Sequence, residues 1–171
     1  MKNMENQIPA KRERQLIIIG AGGHASSIVN VALSLNYSIL GFIHNQRARE
    51  KLFEYPIFCD LNDIDNLENY EFCLALGDNY QREKYLKEIQ KKYPFAKFPT
   101  LIHPTASIGP YSQIDVGTII MPNVVVNTNV IVGSFCILGS QSCVGHDARL
   151  ANFSSLSPAA IIAGNVNLGY R

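Results

Sequence analysis

The sequence predicts two halves of different kinds: an α/β half built on a parallel sheet, then an all-β half wound as a prism. Three observations carry this reading. Strand-like and helix-like segments alternate over residues 15–99, charge almost disappears after Phe98-Pro99, and from Ile102 onward an aliphatic residue returns at every sixth position.

In the first half, QLIII (15–19) is a continuous apolar run of buried-strand type, broken by Gly20, Gly22 and Gly23. Residues 24–35 then carry helical spacing through Ile28, Val31, Ala32 and Leu35. SILGFI (38–43) reads as a second strand and EFCLALG (71–77) as another. Residues 79–92 read as a charged amphipathic helix ended by Tyr93-Pro94. Strands alternating in this way with helices imply a parallel sheet. The expected boundaries are a polar tail over 1–14, the α/β domain over 15–99 and the all-β domain over 100–171.

The second half follows one rule. Ile102, Ile108, Ile114, Ile120, Val126, Val132, Leu138, Val144, Leu150, Leu156, Ile162 and Leu168 stand six apart without exception, and the fourth residue after each is small or short, from Ala106 to Val166. Such a fixed period marks a solenoid. Six residues cannot be a helix repeat, because two helical turns need about seven. They suit one flat face of a β-helix, three faces and eighteen residues to a coil, with the aliphatic residue pointing inward. Gly109, Gly117, Gly133, Gly139, Gly145, Gly164 and Gly169 are expected at corners that need unusual backbone angles.

Composition narrows the function. Net charge is +1 and no basic cluster exceeds KRER (11–14), which gives no electrostatic support for a nucleic-acid or membrane-surface partner. No apolar run approaches the length of a spanning helix and the polar first fifteen residues lack a signal-peptide core, so a cytoplasmic protein is expected. Cys59, Cys73, Cys136 and Cys143 form no CxxC pair and are expected as reduced, packed thiols.

IIIGAGGHA (17–25), LGDNYQR (76–82), IHPTASI (102–108), GTIIMPNVVVN (117–127), GHD (145–147) and SPAAIIAGNVNLG (157–169) together resemble the hexapeptide-repeat acyltransferases. The match is nearest to the branch of sialic-acid O-acetyltransferases and UDP-amino-sugar N-acetyltransferases. The resemblance implies an α/β N-terminal Rossmann-like parallel-sheet domain followed by an all-β left-handed parallel β-helix of hexapeptide repeats, in a homotrimer. It implies O- or N-acetylation of a free or nucleotide-linked sugar in surface-glycan synthesis, with acetyl-CoA as co-substrate and no metal.

The same resemblance assigns the site. His146 would take the proton from the attacking amine or hydroxyl, a task suited to a near-neutral imidazole, and Asp147 would set its tautomer. The sugar is expected near Gly20, Gly22, Gly23 and His24, with His44-Asn45 where relatives often carry an Asp pair. GAGGHA loosely fits a dinucleotide loop, but the acid expected about twenty residues on is replaced by FIHN (42–45), which argues against NAD. Gly164 is expected to donate its N–H to the thioester carbonyl, and Ser155 stands in the acetyl-CoA region where relatives often have a second histidine. Gly139 replaces a usual asparagine, and His103 reads as structural. Relatives typically continue about two coils further, so a non-catalytic sugar-binding or assembly subunit on the same scaffold is the alternative reading.

Overall fold

The structure, a computed structural model, describes residues 14–45 and 50–170. The tail expected over 1–14 lies outside them except for Arg14, whose guanidinium pairs with Glu71 at 3.1 Å.

The first half holds β1 (Gln15–Ile19), α1 (Gly23–Ser34), β2 (Ser38–Ile43), β3 (Lys51–Leu52), β4 (Tyr55–Phe58), β5 (Glu71–Leu74) and α2 (Asn79–Lys92). One sheet runs β3-β4-β2-β1-β5, parallel throughout apart from the antiparallel β3-β4 pair. β1 is an interior strand buried on both faces, which is why its sequence is continuously apolar instead of alternating. β3 and β4 are not visible in the sequence, where residues 50–60 mix charges with aromatics. β5 ends at Leu74, three residues short of the apolar run that was expected to form it. The α2 N-terminus is closed by Asp78, whose carboxylate accepts the Gln81 N–H at 2.7 Å. α1 begins at Gly22 with no side-chain cap, so its first N–H groups face outward unpaired by a side chain.

The second half holds twelve two-residue strands, β6 (Leu101–Ile102), β7 (Ser107–Ile108), β8 (Gln113–Ile114), β9 (Ile119–Ile120), β10 (Val125–Val126), β11 (Ile131–Val132), β12 (Ile137–Leu138), β13 (Cys143–Val144), β14 (Arg149–Leu150), β15 (Ser155–Leu156), β16 (Ile161–Ile162) and β17 (Asn167–Leu168). Each aliphatic hexad residue is the second residue of a strand. Every pairing is parallel and joins residues eighteen apart, as in Ile120 with Leu138 and Val126 with Val144. Three four-stranded sheets result, β6-β9-β12-β15, β7-β10-β13-β16 and β8-β11-β14-β17. This is the hexapeptide β-helix, with four coils. Ile120, Val132, Leu138 and Val144 are wholly buried, each contributing about 1.5–3 kcal/mol. The small residues fill the remaining interior: Thr118, Val124, Val130, Cys136, Ser142 and Ala148 are also wholly buried.

The corners differ from expectation. From Tyr111 to Asn165, ten successive corners hold their third residue after the aliphatic at φ between 55° and 70°, and among these ten only Gly117 is a glycine. Asparagine, aspartate and larger residues accept the left-handed conformation there. Gly109, Gly133, Gly139 and Gly145 answer a different demand, close approach between coils. A Cβ on Gly109 would stand 2.6 Å from the carbonyl carbon of Asn127, and one on Gly139 2.6 Å from the nitrogen of Pro158.

The first half rests on one side of the prism. The outward residues of β6, β9 and β12, namely Leu101, Ile119 and Ile137, are buried beneath it. Phe98, Phe135 and Phe153 continue the contact, the last two stacked at 5.5 Å. Arg82 locks the junction. Its guanidinium, 1% exposed, donates to the carbonyls of Leu76, Phe135 and Phe153, to Asn79 Oδ1 and to Ser155 Oγ. Burial pulls its pKa down to about 10, which leaves it charged near neutrality. The four cysteines are free, but Cys59 is exposed, contrary to the expectation of packed thiols; Cys73 is buried, and burial pushes its thiol up to about 12.

Candidate active site

Two places gather the residues that the sequence singles out. The first is the corner between β13 and β14. His146 and Asp147 stand there, the imidazole Nδ1 2.7 Å from Asp147 Oδ2. A carboxylate only accepts, so Nδ1 carries the proton and, in the neutral ring, Nε2 presents a lone pair. Asp147 adopts φ 60°, a conformation in which its short polar side chain is tolerated. One coil below, Asn129 Nδ2 donates to the other carboxylate oxygen at 2.7 Å. These two hydrogen bonds, the one from His146 first, hold the Asp147 carboxyl below its usual range. One coil above lies Gly164, and a Cβ built there would stand 2.6 Å from His146 Nε2 and 2.7 Å from Cε1. The imidazole is therefore seated between Asp147 and a glycine that leaves it room.

Asn129 was missed in the sequence reading, although the period held the signal: residues eighteen apart share a corner, and 147 less 18 is 129. The side chains of His146 and Asp147 are 59% and 43% exposed, on the edge of the prism opposite the face that carries the first half. Beside that edge, the outward residues of β10, β13 and β16 form the column Val125, Cys143, Ile161. Ile161 is 78% exposed, and the column carries no charge.

The second place is a cleft of about 310 Å³ at the carboxyl ends of β1 and β2. Open parallel sheets bind ligands in such a crevice. Gly20, His44 and Asn45 line it together with Cys59, Asp60, Leu76, Tyr85, Glu88, Lys92 and Tyr93. Gly20 sits at φ 112°, and a Cβ on it would meet the Ala75 carbonyl oxygen at 2.7 Å, so no other residue fits. Lys92 approaches Asp60 at 3.6 Å on the cleft wall. Gly22, Gly23 and His24 are not on this wall. Gly22 and Gly23 are exposed at the open start of α1, and His24 turns inward with Nε2 buried and without a hydrogen-bond partner. Burial, with the Arg82 guanidinium nearby, lowers its pKa.

Ser155 occupies the junction, not the edge near His146: it donates to Asn79 Oδ1 at 2.7 Å and accepts from Arg82 at 3.0 Å. His103 Nδ1 accepts the Thr105 N–H at 3.1 Å, a local turn contact in keeping with a structural residue. Among the described residues no three His, Cys, Asp or Glu side chains gather as metal ligands would, and no helix is long and apolar enough to cross a membrane.

Known proteins show the same architecture. Residues 15–89 match the family model of the PglD N-terminal domain. A histidine-to-asparagine variant of perosamine N-acetyltransferase from Caulobacter crescentus, solved with CoA and GDP-perosamine, is 25% identical with a TM-score of 0.83, over 92% of this chain and 75% of that one. WeeI from Acinetobacter baumannii AYE shares the fold at 19% identity and a TM-score of 0.80, over 90% of this chain and 74% of that one. The acetyltransferase domain of PglB from Neisseria gonorrhoeae FA1090 shares it at 22% identity and 0.60, over 90% and 93%. The first half thus matches a PglD-type domain, and the whole chain shares with these acetyltransferases the architecture of that domain followed by a three-sided prism of six-residue repeats.

Proposed function

We infer that this protein is an acetyl-CoA-dependent sugar acetyltransferase of glycan biosynthesis, and that its acceptor is the amine of a nucleotide-linked amino sugar. The observation that carries the reading is the His146–Asp147 pair at 2.7 Å with the Nε2 lone pair left available. The acceptor class is supported by the perosamine N-acetyltransferase, solved with a GDP-linked amino sugar and CoA.

The reaction needs one base. The amine attacks the thioester carbonyl, His146 Nε2 takes the proton that the nitrogen sheds, and the tetrahedral intermediate collapses to amide and CoA thiolate, which takes a proton back. Asp147 keeps Nδ1 protonated and stabilises the imidazolium, and a general base of this kind contributes about 10²–10⁴-fold. The Gly164 N–H is positioned on the same edge to meet the carbonyl oxygen as it becomes negative. The nucleotide lies in the cleft of Gly20, His44 and Asn45, with its diphosphate toward the uncapped start of α1 at Gly22 and Gly23, where unpaired N–H groups favour an anion. His24 supports that turn from inside.

His146 stands on the prism edge opposite the cleft-bearing half of its own chain, so a complete site draws its cleft and its base from two copies. The uncharged column of Val125, Cys143 and Ile161 is the surface for that contact, and the assembly is a homotrimer. Ser155, held by Arg82 and Asn79, bounds the acetyl-CoA region from the junction side. Free cysteines and acetyl-CoA both fit a cytoplasmic enzyme.

The test is release of free CoA from acetyl-CoA over a panel of GDP- and UDP-linked amino sugars and sialic acids, run beside light scattering. Release with an amino sugar by a trimer is expected. No release with any acceptor, and no acetyl-CoA binding by calorimetry, would return the chain to a non-catalytic assembly role.

A further inference from the structure

We propose that Asn129 is a positioning residue for the acetyl transfer, its side-chain amide pinning Asp147 against the His146 imidazole and so fixing which ring nitrogen carries the proton. The inference deepens the acetyl-transfer reading and rests on it. It begins from the exposure of the pair. Adjacent histidine and aspartate side chains that are 59% and 43% exposed have little packing to hold them, and a single exposed contact between them is weak. On a single contact the carboxylate would exchange the imidazole for water much of the time. A free histidine in water favours the Nε2–H tautomer, which has no lone pair at the catalytic nitrogen.

The second contact changes this. Asp147 Oδ2 takes the Nδ1–H at 2.7 Å and Oδ1 takes the Asn129 amide at 2.7 Å, so both oxygens are engaged and the side-chain torsions are set. Because the carboxylate only accepts, the amide must present its NH₂. The backbone secures Asn129 in turn: its N–H donates to the Pro110 carbonyl at 3.1 Å, and it occupies the left-handed region at φ 58°. That conformation by itself favours asparagine, so the residue type alone proves nothing; the bond to Asp147 is what a corner-filling residue would not need. Among the groups facing the pair, Arg149 is the other charge near Asp147, while Gly164 above and Asn129 below carry none.

The test uses the full-length protein with ¹⁵N-labelled histidine, His146 being assigned by comparison with His146→Gln. Asn129→Gly keeps the left-handed backbone and removes the amide. NMR should show the His146 tautomer moving from Nδ1–H toward Nε2–H, because the carboxylate no longer stays beside the ring. In the CoA-release assay Asn129→Gly should lose about tenfold in kcat, less than the 10²–10⁴ of losing the base, with both KM values within about twofold. A tautomer unchanged in Asn129→Gly, or a kcat unchanged in active protein, overturns the proposal. The NMR readings need no substrate, so a chain that acetylates nothing would sink the proposed reaction while the pinning of Asp147 was still decided.

Discussion

The imidazole of His146 lies against the Cα of Gly164, one coil above it, so closely that a methyl group at 164 would stand 2.6 Å from Nε2. The two residues are eighteen apart and share a corner of the prism. Gly164→Ala is therefore expected to displace the ring that we propose takes the proton. CoA release should fall at least tenfold, a barrier increase of about 1.4 kcal/mol, while the melting temperature changes little because the corner is at the surface. A Gly164→Ala enzyme with wild-type turnover would show that the ring is free to move aside.

His146→Ala should lower kcat by roughly 10²–10⁴-fold with sugar binding nearly unchanged, since the proton moves only in the transition state. Asp147→Asn should cost less, because the base remains and loses chiefly its tautomer bias. Steady-state kinetics with the best acceptor checks both, and equal rates for wild type and the alanine variant would remove His146 from the reaction.

Arg82→Met should destabilise the chain by about 3 kcal/mol or more, because the carbonyls of Leu76, Phe135 and Phe153 lose their shared donor at the junction of the two halves. Arg82→Lys should recover only part of this, as a single ammonium cannot span acceptors that a planar guanidinium reaches together. Denaturant unfolding measures both.

Stability should fall as the solution is acidified below about pH 6.5. The folded state holds His24 neutral by burial, with Arg82 nearby, so its pKa in the fold lies below the 6.5 of the unfolded chain. A lowered folded pKa contributes stability that is present above the unfolded value and is lost as pH falls toward the folded one. His24→Gln should flatten the melting temperature between pH 7.5 and 5 relative to wild type. An equally steep decline in the variant would assign the effect to other groups.

What the sequence determined by itself was whatever depends on period. β1, β2 and α2 begin and end where apolar runs and helical spacing place them, and every hexad aliphatic from Ile102 to Leu168 became the inward residue of a strand. A fixed repeat leaves little freedom: once the coil length is eighteen, the pairing of Ile120 with Leu138 and the placing of His146 at a corner both follow. The contact between His146 and Asp147 was legible for that reason, because adjacency puts a carboxylate within reach of an imidazole.

The tertiary structure alone decided what depends on contact between distant segments. Arg82 reads as one more charge on an amphipathic helix until Phe135, Phe153 and Ser155 are folded against it. Gly22, Gly23 and His24 share a motif with Gly20, yet only Gly20 reaches the cleft, whose wall is completed by Tyr85, Glu88 and Lys92 from a helix far along the chain. Gly117 takes the left-handed angle that local sequence reports, whereas Gly109, Gly133, Gly139 and Gly145 are required by room for the backbone of the next coil, which is a property of stacking. Asn129 belongs to both kinds: its left-handed φ is local, while its hold on Asp147 exists only because one coil lies on another.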